Sequence, residues 1–444
     1  MQSTGATPPL SQKRILLTWL PLAASWLLMA LEMPYVNAAL ARLPDSVLMI
    51  AAFGLAASLS ITIESPVISL LATSTALARS PQNYAMLRRF TVQLMVGTTL
   101  LQALLAWSPL FELVVRDWMG VPTSLLAPVK LGLQLMLLWS AAIAWRRFRQ
   151  GILIRFGQSA SVGKGTVVRL LASAGTATLL AVFTDASGVA LGTLALSLGV
   201  IAEAIYAHIA SAGLVRTHFG AESTLQAPDL SYRALVNFHW PLATSNLLFL
   251  LTQPLIAAAL ARSPEPETAL AAWPVLNGLF FISRSLEMAL PEVVIAHYDE
   301  PGSQPALRRF SYSVGLAACA LLALVAYTPL SDFYFHTLIG VSDELAVIAE
   351  GGARLGVLLP LAMAAVCLAR GLLTARRNTR PQAYAMALEL GVLAGVLALG
   401  VALRLPSIPT AVAALTLSLG TEAIYLGSLA QKPHIHAAAV PAQN

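Results

Sequence analysis

The chain has 444 residues, of which 57% are hydrophobic and only 11% charged, with a mean hydropathy of +0.73. A soluble chain carries roughly a quarter charged residues, so this one lacks the material for a water-facing exterior. Soluble-enzyme, nucleic-acid-binding and secreted-module classes are excluded at the outset, and the hydrophobic mass falls in runs long enough to cross a bilayer.

Twelve such runs are legible in chain order, at about 15–41, 46–78, 90–107, 124–145, 166–184, 188–215, 235–261, 267–296, 310–328, 344–370, 382–403 and 407–430. The expected fold is therefore an all-α polytopic membrane protein. Its expected organisation is a leader (1–14), a first lobe (15–216), a linker (217–234), a second lobe (235–430) and a tail (431–444). The stretch Met1–Gln12 carries no cleavable signal pattern, so the first helix is expected to stay in the chain. Cys319 and Cys367 both sit inside apolar runs and suggest neither a disulfide framework nor a zinc site.

Orientation follows from Lys and Arg. With both termini cytoplasmic, twenty of the 27 basic residues fall on the inner side, among them Arg146, Arg147, Arg149, Arg169, Arg377 and Lys432. The outer loops hold only Arg42, Arg116, Arg262 and Arg404. A multi-pass protein of a bacterial inner or plasma membrane is expected. The net charge of +6 then reflects anchoring to anionic lipid, with no nucleic-acid partner.

The two halves repeat at an offset of 220 residues. Leu20-Pro21-Leu22-Ala23 matches Trp240-Pro241-Leu242-Ala243 with its proline in register, and Pro34 matches Pro254. Ala38 to Arg42 matches Ala258 to Arg262, Leu87-Arg88-Arg89-Phe90 matches Leu307-Arg308-Arg309-Phe310, and Gly120-Val121 matches Gly340-Val341. Glu203-Ala204-Ile205-Tyr206 returns as Glu422-Ala423-Ile424-Tyr425 at 219. A register held from the first helix of each half to the last indicates duplication. Six spans per repeat, an even number, makes the repeats parallel, related by an axis along the membrane normal. Two six-helix lobes across a central cavity are expected.

Charges inside such spans cost at least about 2.5–3.5 kcal/mol each at mid-bilayer, so each requires a reason. The spans contain Glu32, Glu64, Glu203, Glu287, Glu292, Glu350, Glu389 and Glu422 against Arg284 and Arg354. Glu32 stands two residues before Pro34, whose missing N–H frees a carbonyl. With Asn37 a turn further on, a carboxyl facing the cavity there is expected to couple protonation to helix bending. Glu64 repeats the pattern beside the kink at Pro66, and its counterpart at 220 is Arg284. Three arrangements of Arg284 stay open: a latch with Glu64, a local pair with Glu287, or an unpaired anion-binding group. Glu350 and Arg354 have the spacing of an intrahelical salt bridge. Glu203 and Glu422 are expected to pair with nearby arginines, and Glu292 and Glu389 to be solvated near the cytoplasmic ends. In the second lobe Asn246, Gln253, Asn277 and Ser283 form a milder lining, with Gln253 beside the kink at Pro254. Lobe one is thus expected to couple to protons or cations and lobe two to contact substrate.

Other signals fail. Gly157 and Gly163-Lys164-Gly165 have the wrong spacing for a phosphate loop. His434 and His436 lie in the tail, and no span holds a His pair with metal-ligand spacing. Neither an enzyme, a cofactor nor a metal is expected.

Two parallel six-helix lobes, each with a proline in its first helix, resemble the multidrug/oligosaccharidyl-lipid/polysaccharide (MOP) exporter superfamily, which includes the MATE transporters. Within it, Ala51-Ala52-Phe53-Gly54-Leu55-Ala56-Ala57-Ser58-Leu59 with Ser65-Pro66 resembles the second helix of the progressive ankylosis family. Phe238-His239-Trp240-Pro241-Leu242-Ala243 with Thr252-Gln253-Pro254 resembles its seventh. The acidic and lysine-rich tail of the animal members is absent. The superfamily resemblance implies a secondary active exporter working by alternating access as a monomer on a small-molecule substrate. Its coupling ion would be a proton or sodium. The ankylosis resemblance implies organic or phosphate-containing anions. A MATE-like reading implies cationic or amphipathic drugs instead. A lipid-linked glycan flippase ranks third, and a non-transporting membrane scaffold is the reading from another class.

Overall fold

A computed structural model describes residues 10–220, 225, 228–376, 378 and 380–431. Most of the leader, Glu222 in the linker, Arg377, Lys432 and the tail with His434 and His436 lie outside the described residues.

The described chain is built from helices in the expected order. The first six are α1 (Gln12–Ala41), α2 (Ser46–Ile63 continued by Ser65–Leu77), α3 (Pro81–Trp107), α4 (Thr123–Arg155), α5 (Ser159–Phe183) and α6 (Gly188–Phe219). The second set begins with α7 (Tyr232–Leu260) and α8, which runs as Pro266–Ser285, a 3-10 turn Glu287–Ala289, and Leu290–His297. It continues with α9 (Ser303–Tyr327), α10 (Asp343–Leu355 and Leu359–Ala375), α11 (Arg380–Ala402) and α12 (Ser407–Gln431). Ten of these pass as single membrane-length apolar helices; the two parts of α10, bent by 49°, make an eleventh. The interrupted α8 completes twelve, in two pseudo-symmetric six-helix lobes.

The interruptions have identifiable causes. Pro34 has no N–H to give Ala30, and α1 breaks at Leu31 before Tyr35 resumes the ladder by donating to the Leu31 carbonyl at 3.2 Å. In α7 the break at Leu251 precedes Pro254 in the same way, and α2 breaks at Glu64 ahead of Pro66. Each kink thus falls beside the proline that causes it. The two lobes meet through α1 and α2 on one side and α7 and α8 on the other. Gly54 of α2 packs on Pro274 of α8, and a side chain at Gly54 would collide with that ring. These positions are 220 apart, so two repeat-equivalent residues touch each other and must lie close to the pseudo-twofold axis.

Two spans start earlier or end later than the hydrophobic runs suggest. Helix α4 stays helical to Arg155, and α5 begins at Ser159. Arg146, Arg149 and Arg169, assigned above to the cytoplasmic side, are instead packed inside or against lobe one: Arg146 is 4% exposed and Arg149 5%. The bias survives their removal. Lys13, Arg14, Arg79, Arg88, Arg89, Arg155, Lys164, Arg216, Arg233, Arg308, Arg309, Arg376 and Arg380 remain near the end where the described chain begins and finishes, here called the termini end. The opposite far end carries Arg42, Arg116, Arg262 and Arg404.

Candidate functional site

A cavity of about 100 Å³ lies between the lobes, with Met33, Ser58, Gln253, Trp273, Asn277 and Phe281 among its walls. Its sides are otherwise aliphatic and come from α1, α2, α7 and α8. The indole N–H of Trp273 donates to Gln253 Oε1 at 2.9 Å, which fixes that amide against the cavity wall.

Arg284 stands on the same face of α8, one turn beyond Phe281. Helical side chains tilt toward the helix N-terminus, and this one folds back to do so. Its Nε donates to the Phe280 carbonyl at 3.2 Å, and its Nη2 lies 3.4 Å from Asn277 Oδ1. Neither ion pair anticipated from the sequence forms. Glu287 opens the 3-10 turn, so the α-helical spacing that would bring it onto Arg284 is lost. Both Glu287 oxygens are buried without a hydrogen-bond donor among the described residues. Glu64 turns away from the second lobe altogether and accepts the indole N–H of Trp139. Arg284 is left with no salt bridge among the described residues, Glu287 and Glu389 acting on it only at longer range.

The acids of lobe one are consumed internally. Glu32 is 4% exposed and points into the lobe, contrary to the expectation that it faces the cavity. Arg169 donates to it twice, through Nε at 3.0 Å and through Nη2. The kink explains the difference: the break at Leu31 turns this part of α1 so that Glu32 faces α5. Arg146 and Gln150 both donate to Glu203, the latter at 2.9 Å. The matching Glu422 in lobe two receives Nε and Nη2 of Arg370 at 2.9 and 2.6 Å. Glu350 and Arg354 form the expected pair at 3.3 Å. Glu292 is exposed, whereas Glu389 is half-buried against Glu422 and not solvated.

The amides divide between two roles. Gln253 and Asn277 line the cavity. Asn246 instead crosses between lobes, donating to Ser69 Oγ at 2.9 Å, and Asn37 donates to the Pro274 carbonyl at 3.3 Å. His239 joins the Asn246 seam: its Nε2 donates to the Pro66 carbonyl at 2.9 Å and its Nδ1 faces Thr73 Oγ1 at 2.9 Å. Further toward the termini end, Trp19 donates to the Leu286 carbonyl and Arg14 pairs with Glu300, each at 3.0 Å. Contacts therefore close the lobe interface on both sides of the cavity. Sequence reasoning missed Trp139, Trp273 and Arg169 as partners. The offset offered one clue, since Arg169 has Glu389 as its counterpart, a second charge reversal like Glu64 and Arg284.

No family model matches the chain, and no curated protein matches it. Solved structures do. An inward-facing multidrug resistance MATE family transporter of the MOP superfamily superposes with a TM-score of 0.70 at 12% identity, covering 93% of this chain and 97% of that one. A MOP superfamily transporter from Pyrococcus furiosus, described as having a binding pocket of reverse polarity that suggests a different function, gives 0.65 at 13% identity over 96% and 98%. The lipid II flippase MurJ in an inward closed conformation gives 0.69 at 10% identity over 93% and 88%. The chain thus has the fold of the MOP superfamily transporters, a multi-pass membrane architecture.

Proposed function

We propose that this protein is a secondary active exporter of small anions, organic or phosphate-containing, which pass between the lobes by alternating access. Arg284 carries the reading. It is a guanidinium beside the inter-lobe cavity, held by a neutral amide and without a salt-bridge partner among the described residues. Arg284 is half-buried, where a cation left unpaired is costly, and an anionic substrate is the partner that would offset the cost. Export of cations is less well supported, because, of the lobe-one acids, Glu203 and Glu32 are matched by Arg146 and Arg169, and Glu64 is held by the indole of Trp139. The basic bias of the termini end supports placing both termini in the cytoplasm. A proton or sodium gradient is the proposed driving force, with a single chain sufficing for transport.

The test is quantification of citrate-like acids, pyrophosphate and nucleotides in the medium of cells expressing wild type, Arg284→Gln or empty vector, with cationic-dye efflux measured in parallel. Anion release by wild type that Arg284→Gln abolishes is the expected result. Dye efflux without anion release, in membranes shown to contain the protein, overturns it in favour of a drug exporter.

A further inference from the structure

At the far end, two repeat-equivalent arginines each reach across to the opposite lobe. Arg42 ends α1, and its Nη1 donates to the Ile339 carbonyl at 2.8 Å while its Nη2 donates to those of Thr337 and Leu338 at 3.0 and 3.1 Å. Arg262 follows α7 and does the same in the other direction. Its Nη1 donates to the Met119 carbonyl at 2.6 Å and its Nη2 to that of Trp118.

The acceptors lie at the ends of two matching π-helical turns, Glu112–Trp118 with the following Met119, and Phe333–Ile339, whose last carbonyls have no partner within the turn. Each guanidinium also caps its own helix, Arg42 at the Ala38 carbonyl and Arg262 at that of Ala258. A cation placed on two helix C-termini at once is favoured by both dipoles. Behind each sits a glycine with a left-handed backbone, Gly340 (φ 83) against Arg42 and Gly120 (φ 74) against Arg262. A Cβ at either would come within 3.2 Å of the arginine.

We propose that Arg42 and Arg262 are the two halves of the far-end gate, a reciprocal pair of inter-lobe clamps that must both release before the cavity opens on that side. The inference rests on the alternating-access reading and is independent of which substrate moves. The clamps are well suited to a gate because they bond only to backbone carbonyls. Arg42 and Arg262 are already exposed, so on opening water takes over from the carbonyls and no buried charge is stranded.

The test uses the purified full-length chain, without substrate, with Cys319 and Cys367 replaced by Ala and spin labels on two repeat-equivalent pairs. Asp185→Cys with Leu405→Cys spans the far end, and Gln158→Cys with Asn378→Cys spans the termini end. Losing both clamps should raise the far-end-open population on the order of tenfold or more. In Arg42→Ala/Arg262→Ala the 185–405 distances should lengthen while the 158–378 distances stay narrow. Gly340→Ala should do the same from the opposite lobe, its Cβ pressing on Arg42 with neither arginine replaced. Unchanged far-end distances overturn the proposal. Broadening of both pairs with early thermal unfolding overturns it too, since the arginines would then be general braces. The anion reading is judged separately, by Arg284→Gln.

Discussion

Glu32 and Arg169 form a doubly hydrogen-bonded ion pair in the interior of lobe one, joining the kinked first helix to α5. The pair makes the kink a two-sided device. Releasing Glu32 frees α1 to move, but it also strands the Arg169 guanidinium. Removing one partner of a buried pair typically costs about 3–5 kcal/mol, whereas removing both can be nearly neutral. Glu32→Gln is therefore expected to lower the unfolding temperature markedly, and Glu32→Gln/Arg169→Gln to recover most of the loss. Thermal unfolding of the purified proteins checks this; equal destabilisation by single and double variants would mean the pair contributes little.

The Gly54–Pro274 contact sets how closely the lobes approach at the axis. Gly54→Val inserts a branched side chain where a Cβ already collides, beside a cavity of about 100 Å³. Overpacking of this kind costs roughly 1–3 kcal/mol. The lobes are expected to fold but to sit apart, with transport lost and only a modest fall in unfolding temperature. Transport at the wild-type rate in Gly54→Val would show that the lobes do not need this contact.

The architecture was legible because a bilayer makes hydropathy a direct readout of span number, and because a 220-residue repeat fixes lobe symmetry. The kinks at Pro34, Pro66 and Pro254 were legible too, since proline removes a specific donor wherever it stands. What could not be read was which way the charges turn. An acid beside a kink, as Glu32 and Glu64 both are, is equally compatible with either face of the helix. Only the rotation introduced by the break decides that Glu32 meets Arg169 and Glu64 meets Trp139. The Arg284–Glu287 pair failed for a related reason: its spacing assumed an unbroken α-helix, and the 3-10 turn changes the register. Hydropathy ends the run 124–145 at Arg146 although that charge has a buried partner, and Arg169, three residues into the run 166–184, reads as a cytoplasmic flank for want of any sign of Glu32 opposite it.

Pro34 and Pro254 leave matching breaks in α1 and α7, the two helices that carry the far-end arginines. Replacing Pro34 with Ala restores a donor for the Ala30 carbonyl and removes a penalty of about 3 kcal/mol in a helix interior, less whatever the kinked packing returns. Pro34→Ala is expected to slow transport, because a straight α1 is stiffer and shifts Glu32 relative to Arg169, whose loosened pair offsets the gain in helix stability. Hydrogen exchange at residues 30–36 would report the change: slower exchange with slower transport is expected, and unchanged exchange would leave the kink attributed to tertiary packing alone.

Asn277 lies where the cavity wall meets Arg284, its Oδ1 3.4 Å from the guanidinium. Asn277→Asp is nearly isosteric and sets a carboxylate against Arg284, which would then carry an internal counter-ion. Forming that pair should leave stability unchanged or raise it, since an unpaired half-buried cation gains a partner. Anion transport should fall sharply, because the substrate would have to displace a tethered carboxylate of high effective concentration. Asn277→Ala removes the amide without supplying a charge and should retain most transport. Uptake of a labelled anion into inverted vesicles separates the two variants. Equal activity in both would remove Arg284 from the substrate path, while loss in Asn277→Asp alone would identify the guanidinium as the group that meets the anion.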